Sequence, residues 1–165
     1  METTNYLYNT MDDEDFELNA EGNEEFEREQ RKKREELKKH PLLKQAKEIV
    51  SIVDALLTTS VEEEDADIYG NTLRESAMII VAKLTSGLQS DNYLLCMQNA
   101  AIIREHGEYL RLSNHMLNHS GTFNEKYVDM FRQEMENFRL LFKEWAEEIR
   151  KMENDFEDEW GLFLG

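Results

Sequence analysis

The chain is predicted to be all-α: an antiparallel up-down four-helix bundle preceded by an additional charged helix. Three observations lead there. Apolar residues recur at three- and four-residue spacings over four long stretches, the breaks between them are short and polar, and no stretch alternates in the manner of a half-buried strand.

Residues 1–22 come first and read as a disordered acidic tail. Asp12, Asp13, Glu14, Asp15, Glu17 and Glu21 crowd a stretch with few branched aliphatics, so little apolar burial is available to offset the entropy of ordering the backbone. Residues 23–40 read as a charged helix. Gly22-Asn23 offers a turn and an N-cap, and Glu27/Arg31, Glu29/Lys33 and Glu35/Lys39 are i,i+4 pairs in the favourable order. With little apolar surface beyond Phe26 and Leu37, this helix is expected to project or to lie on the surface.

The bundle is placed at 41–158. His40-Pro41 interrupts the first helix, because a residue before proline is pushed out of the α region while proline suits a first helical position. From Pro41 to Thr58, Leu42, Ala46, Ile49, Val53 and Leu56 recur at 4,3,4,3 spacing, widened by Leu43, Val50 and Leu57. A second helix is expected over 66–88 on Tyr69, Leu73, Ser76, Ala77, Ile80 and Leu84, with Gly87 as its C-cap. A third is expected over 92–119 on Cys96, Ala100, Ile103, Gly107, Leu110 and Leu117, where a packing reason is expected for the helical Gly107. The fourth, over 124–158, carries the clearest pattern. Val128, Phe131, Met135, Phe138, Phe142, Trp145, Ile149, Met152 and Phe156 repeat at strict 3,4 spacing. Residues 159–165 read as a flexible apolar tail.

Charge and composition narrow the function. The 165 residues hold 36 acids against 19 bases, a net charge of -17, which disfavours unassisted binding to a phosphate backbone. That charge is uneven: -10 over residues 1–29, +5 over 30–44 and -12 over 45–165. A single cysteine and the lack of a basic n-region followed by an apolar stretch point to a cytoplasmic protein.

No constellation supplies catalysis. Di-iron bundles need Glu-x-x-His on two helices, and no Glu here is followed by His three residues later. His115 and His119 are four apart but read as helix-end caps, Cys96 reads as a small buried hydrophobe, and there is no phosphate loop. The expectation is a non-enzyme with no cofactor and no metal. Candidate nucleic-acid contacts are Arg31, Lys32, Lys33 and Arg34 on the charged helix, with Arg132 and Arg139 in the bundle; neighbouring Glu residues favour ion pairing there instead. Candidate contacts to another copy or to a protein partner are Met78, Ile79 and Val81, which make the second bundle helix apolar nearly all round, together with Trp160 and Phe163.

The run Leu73-Arg74-Glu75-Ser76-Ala77-Met78-Ile79-Ile80-Val81-Ala82-Lys83-Leu84-Thr85-Ser86-Gly87 resembles the second-helix signature L-R-R-[SA]-A-x-S-I-x-x-N-I-A-E-G of the four-helix-bundle proteins encoded in intervening sequences of bacterial 23S ribosomal RNA genes. Leu73, Arg74, Ala77, Ile80, Ala82, Leu84 and Gly87 fit. Ile79, Val81, Lys83 and Ser86 replace the family's Ser, Pro, Asn and Glu. Asp91 to Leu110 is similar in layout to that family's third helix. The resemblance implies a four-helix bundle that assembles as a ring, such as the pentamers formed by relatives that include the accessory protein of diversity-generating retroelements. That relative is basic and binds nucleic acid, whereas this chain is strongly acidic. The expected function is therefore that of a non-enzymatic oligomeric bundle acting through protein-protein contacts, with no membrane association. The alternatives are a nucleic-acid-binding accessory protein of the intervening-sequence type, or an acidic mimic of nucleic acid that occupies a basic partner.

Overall fold

Five helices make up the computed structural model, which describes the backbone of residues 13–60 and 63–153 and the side chains of residues 24–60 and 70–153. They are α1 (Asp13–Lys39), α2 (Pro41–Thr58), α3 (Glu63–Gly87), α4 (Tyr93–Ser120) and α5 (Glu125–Ile149). No strand occurs among the described residues. The chain divides into two units, Met1–Glu36 and Leu37–Gly165.

Helix α1 starts at Asp13, ten residues before the sequence reading begins a helix. Residues 13–22 are thus helical, not tail; residues 1–12 lie outside the described residues. The acids from Asp13 onward sit at the positive end of the helix dipole, where negative charge is favoured, and Gly22 weakens a helix without breaking it. Along this helix Arg28 pairs with Glu24 at 3.4 Å and Arg31 with Glu27 at 3.7 Å, all well exposed. Such pairs contribute only a few tenths of a kcal/mol each, about 0.3–0.5 on a helix surface.

In the second unit, α2 packs on α3 and α5, and α4 packs on the same two helices. Four helix boundaries follow local chemistry. Pro41 begins α2 with no side-chain cap, and His40 before it is extended at ψ 126. Asn92 and Asn124 cap α4 and α5 by accepting from the Leu95 and Lys126 amides, each at 3.0 Å. Gly121 ends α4 in the left-handed conformation at φ 68, which favours a residue without Cβ.

The core is continuous and built from the expected stripes. Leu42, Ala46, Ile49, Val53 and Leu56 of α2 are buried, as are Leu73, Ala77, Ile80 and Leu84 of α3. Helix α4 contributes Cys96, Ala100, Ile103, Leu110 and Leu117. The α5 seam holds from Val128 to Ile149, with Phe142 half-buried and Met152 packed on the core just beyond the helix. Helix α5 ends at Ile149, short of the expected 158: Arg150, Lys151 and Met152 form a closing turn through Ala146, Glu148 and Ile149 carbonyls. The acids from Glu153 onward would sit against the negative end of a longer helix dipole, which gives a reason for the early stop. Phe156, Trp160 and Phe163 lie outside the described residues.

Polar bridges add specificity between neighbours. Gln45 Nε2 donates to Glu134 Oε2 at 2.6 Å and to its carbonyl at 3.1 Å, joining α2 to α5. Arg74 Nε donates to Asp54 Oδ1 at 2.6 Å between α3 and α2. Buried Asn114 Nδ2 donates to the Val128 carbonyl at 3.2 Å between α4 and α5.

Gly87 departs from its expected role. It is not in the left-handed region; instead a Cβ there would lie 2.9 Å from Cη2 and Cζ2 of Trp145, so the glycine lets the indole end against the last turn of α3. Gly107 departs the other way, because a Cβ there would find only Phe138 Cε1 at 3.9 Å, an ordinary contact. Gly107→Ala is accordingly expected to stabilise the protein by about 0.4–1 kcal/mol through loss of unfolded-state freedom. Urea unfolding of the two proteins checks this, and a destabilised variant would show that the helix needs the glycine for packing.

Candidate functional site

Two surface features of the second unit stand out, and the sequence had marked only parts of each. The first is a groove between α4 and α5. Its floor is apolar: Ile103, Met135 and Phe138 are buried and Phe142 half-buried, and the missing side chain at Gly107 opens a notch of about 80 Å³. The aromatics below are ordered among themselves. Phe138 and Phe142 stack with centroids 6.3 Å apart, and Phe142 meets Trp145 edge-on at 5.9 Å.

The rim of this groove is charged. Arg111 holds Glu108 through Nε at 2.9 Å and Nη2 at 2.5 Å, and Arg139 holds Glu136 through Nε at 2.8 Å and Nη2 at 2.6 Å. Each fork is an i,i+3 pair within its own helix, and the two face each other across the groove. Hydrogen bonding from Arg111 and Arg139 holds the Glu108 and Glu136 carboxyls below their ordinary range. Both therefore stay ionised well into acid, and only below that does the rim gain positive charge. Arg104 and Lys143 add to the same field. Toward the start of α5 the groove widens to about 740 Å³ between Arg111, His115 and Asn118 on one side and Asp129, Arg132 and Glu136 on the other.

The second feature is apolar surface on the outer faces of α3 and α4. On α4, Ile102, Tyr109 and Met116 are spaced by seven, with Leu112 between them, and this stripe faces away from the core positions. Leu112 is 53% exposed and Met116 52%. On α3, Met78 is 58% exposed and borders a shallow depression of about 450 Å³ with Ile79 and Ala82.

The proposed contact residues distribute as follows. Met78 faces outward and Ile79 is half-buried beside it, whereas Val81 packs against the core. Arg132 pairs with Asp129 at 3.2 Å and Arg139 with Glu136, both on the groove. Arg31 pairs with Glu27, while Lys32, Lys33 and Arg34 are exposed on α1. The α4 stripe was present in the sequence as Ile102, Tyr109, Leu112 and Met116 flanking the core face, but nothing there said they would be left uncovered.

Residues considered for chemistry are held in structural roles. His119 Nδ1 donates to the His115 carbonyl at 2.9 Å, closing the end of α4. His106 Nδ1 lies 3.2 Å from Ser76 Oγ, between α4 and α3. Burial pushes the Cys96 thiol above its ordinary value, so it stays protonated at neutral pH, with Sγ 3.4 Å from the Gly87 and Ser90 carbonyls. Among the described residues no three His, Cys, Asp or Glu side chains are placed to hold a metal ion. No described helix is long and apolar enough to cross a membrane.

Comparison with family models, curated proteins and solved structures finds no match. The class of protein is thus carried by the fold alone: an all-α chain of mutually packed helices.

Proposed function

We propose that the chain is an antiparallel up-down four-helix bundle that performs no catalysis, assembles with copies of itself and acts through protein-protein contacts. The observation that carries this reading is the second apolar stripe of α4, Tyr109, Leu112 and Met116. Three large hydrophobics on one helix face that are 37–53% exposed form the kind of surface that isolated soluble domains keep small. Heptad spacing suits it to another helix. A ring such as the intervening-sequence resemblance implies would bury this face between neighbours.

Nucleic-acid binding is the weaker reading. Arg31, Arg132 and Arg139 each already face a carboxylate, and the chain as a whole carries a net charge of -17.

The test is a double variant, Leu112→Glu with Met116→Glu, both exposed positions where a charge costs the isolated fold little. The variant is expected to elute as a single 19.6 kDa chain with unchanged helical circular dichroism, while the wild type has a multiple of that mass in light scattering. Equal masses for the two proteins would remove this face from the interface.

A further inference from the structure

The rim of the α4–α5 groove carries more cations than carboxylates, although residues 45–165 as a whole sum to -12. On a protein of net charge -17, the rim places five cations, Arg104, Arg111, Arg132, Arg139 and Lys143, against three carboxylates, Glu108, Asp129 and Glu136. Arg104 makes no ion pair among the described residues. Beneath this positive rim lie the Gly107 notch and the buried faces of Ile103, Met135 and Phe138.

An apolar floor under a cationic rim has a defined complement. A solvated inorganic anion would gain nothing from the floor. A nucleic-acid backbone, with a negative charge at every step, would meet Glu108, Glu136 and Asp129 as well as the arginines. A peptide with spaced carboxylates can set them over the arginines and away from the glutamates while it lowers a leucine or an aromatic ring into the notch. Measured along α5 from Asp129 to Lys143, the rim spans roughly 21 Å, the length of a helical segment of about fourteen residues.

We propose that this groove is a docking site for an acidic peptide segment with an apolar anchor, the anchor entering the notch at Gly107 and its flanking carboxylates bridging Arg104, Arg111 and Arg139. This deepens the reading of the chain as a protein-binding bundle and rests on it, by naming the chemistry of a segment it would take. Helix-in-groove recognition of this kind draws affinity from the buried anchor and takes specificity and association rate from the rim charges.

The test uses the full chain and a fluorescein-labelled synthetic peptide with the sequence of residues 153–165, which holds five acids, no base, and Phe156, Trp160, Leu162, Phe163 and Leu164 as possible anchors. Fluorescence anisotropy at low salt is expected to show saturable binding that weakens with added salt. A control peptide with its five acids replaced by their amides is expected to bind about tenfold more weakly, and the double variant Arg104→Glu/Arg139→Glu to lose a similar factor for the acidic peptide. Gly107→Leu keeps every charge and fills the notch; it is expected to weaken binding with no loss of thermal stability, which separates a blocked groove from a damaged fold.

Absence of binding, equal binding of acidic and amide peptides, or indifference to both variants would overturn the proposal. So would tighter, rim-dependent binding of a labelled single-stranded oligonucleotide of similar length. The mass of the protein is read separately: a monomer that binds the peptide sinks self-association and leaves the groove standing, while an oligomer that ignores the peptide does the reverse.

Discussion

Phe131→Ala is expected to lower the unfolding free energy by about 3–5 kcal/mol, the usual loss when a large buried aromatic is cut to a methyl group. Phe131 is 0% exposed and the largest fully buried side chain of the core. It lies in the seam between Val128 and Met135, where α5 meets α2 and α4, and those helices cannot close on the space because the Gln45–Glu134 and Asn114–Val128 bridges hold both neighbours in register. Cavity cost adds to transfer cost, and the melting temperature should drop by roughly 10 °C or more. Phe131→Leu keeps most of the volume and should cost less than half as much. Chemical unfolding of both variants decides the point: a loss below about 1 kcal/mol for the alanine variant would mean that the α5 seam is not the packed centre.

Trp145→Ala should cost a comparable amount, about 3–5 kcal/mol, and should also reverse the sign of a second substitution. The Trp145 side chain is 5% exposed, meets Phe142 edge-on, and ends against Gly87, where a Cβ would sit 2.9 Å from two ring atoms. A rigid ring packed on both sides gives way reluctantly, so Gly87→Ala in the wild type is expected to destabilise by about 1–3 kcal/mol. In the Trp145→Ala background the obstruction is gone. There the same glycine substitution should become neutral or stabilising by up to about 1 kcal/mol, because alanine is the better helix former and limits the unfolded chain. The double-mutant cycle reads this coupling directly. Additive effects would show that the indole does not rest on Gly87.

Helical periodicity made much of this fold readable. The α5 stripe from Val128 to Ile149 is buried where 3,4 spacing put it, and α2 begins at Pro41 and ends at Thr58 because proline and the Thr-Thr-Ser run act locally. The misjudged features depend on partners distant in sequence or on a balance of weak terms. Gly87 looked like a cap, since nothing near it in the chain announces a tryptophan 58 positions later. Gly107 was expected to permit close approach, yet the facing residue is Phe138, whose ring stops at ordinary contact distance. The start of α1 turned on acids that favour a helix N-terminus against a composition that disfavours order. The groove is half visible in the sequence, where Arg104 and Arg111 lie seven apart and Arg132, Arg139 and Lys143 follow at spacings of seven and four. That the two sets face one another over an apolar floor follows only from how α4 meets α5.

That packing also explains why the outer stripe of α4 matters. Its inner face is already committed to α3 and α5, and Tyr109, Leu112 and Met116 stay exposed among the described residues. Their most direct readout is the mass of the unmodified full-length protein by sedimentation velocity over a wide concentration range. Self-assembly through this face predicts one dominant species at an integral multiple of 19.6 kDa. A single 19.6 kDa species at every concentration would contradict it.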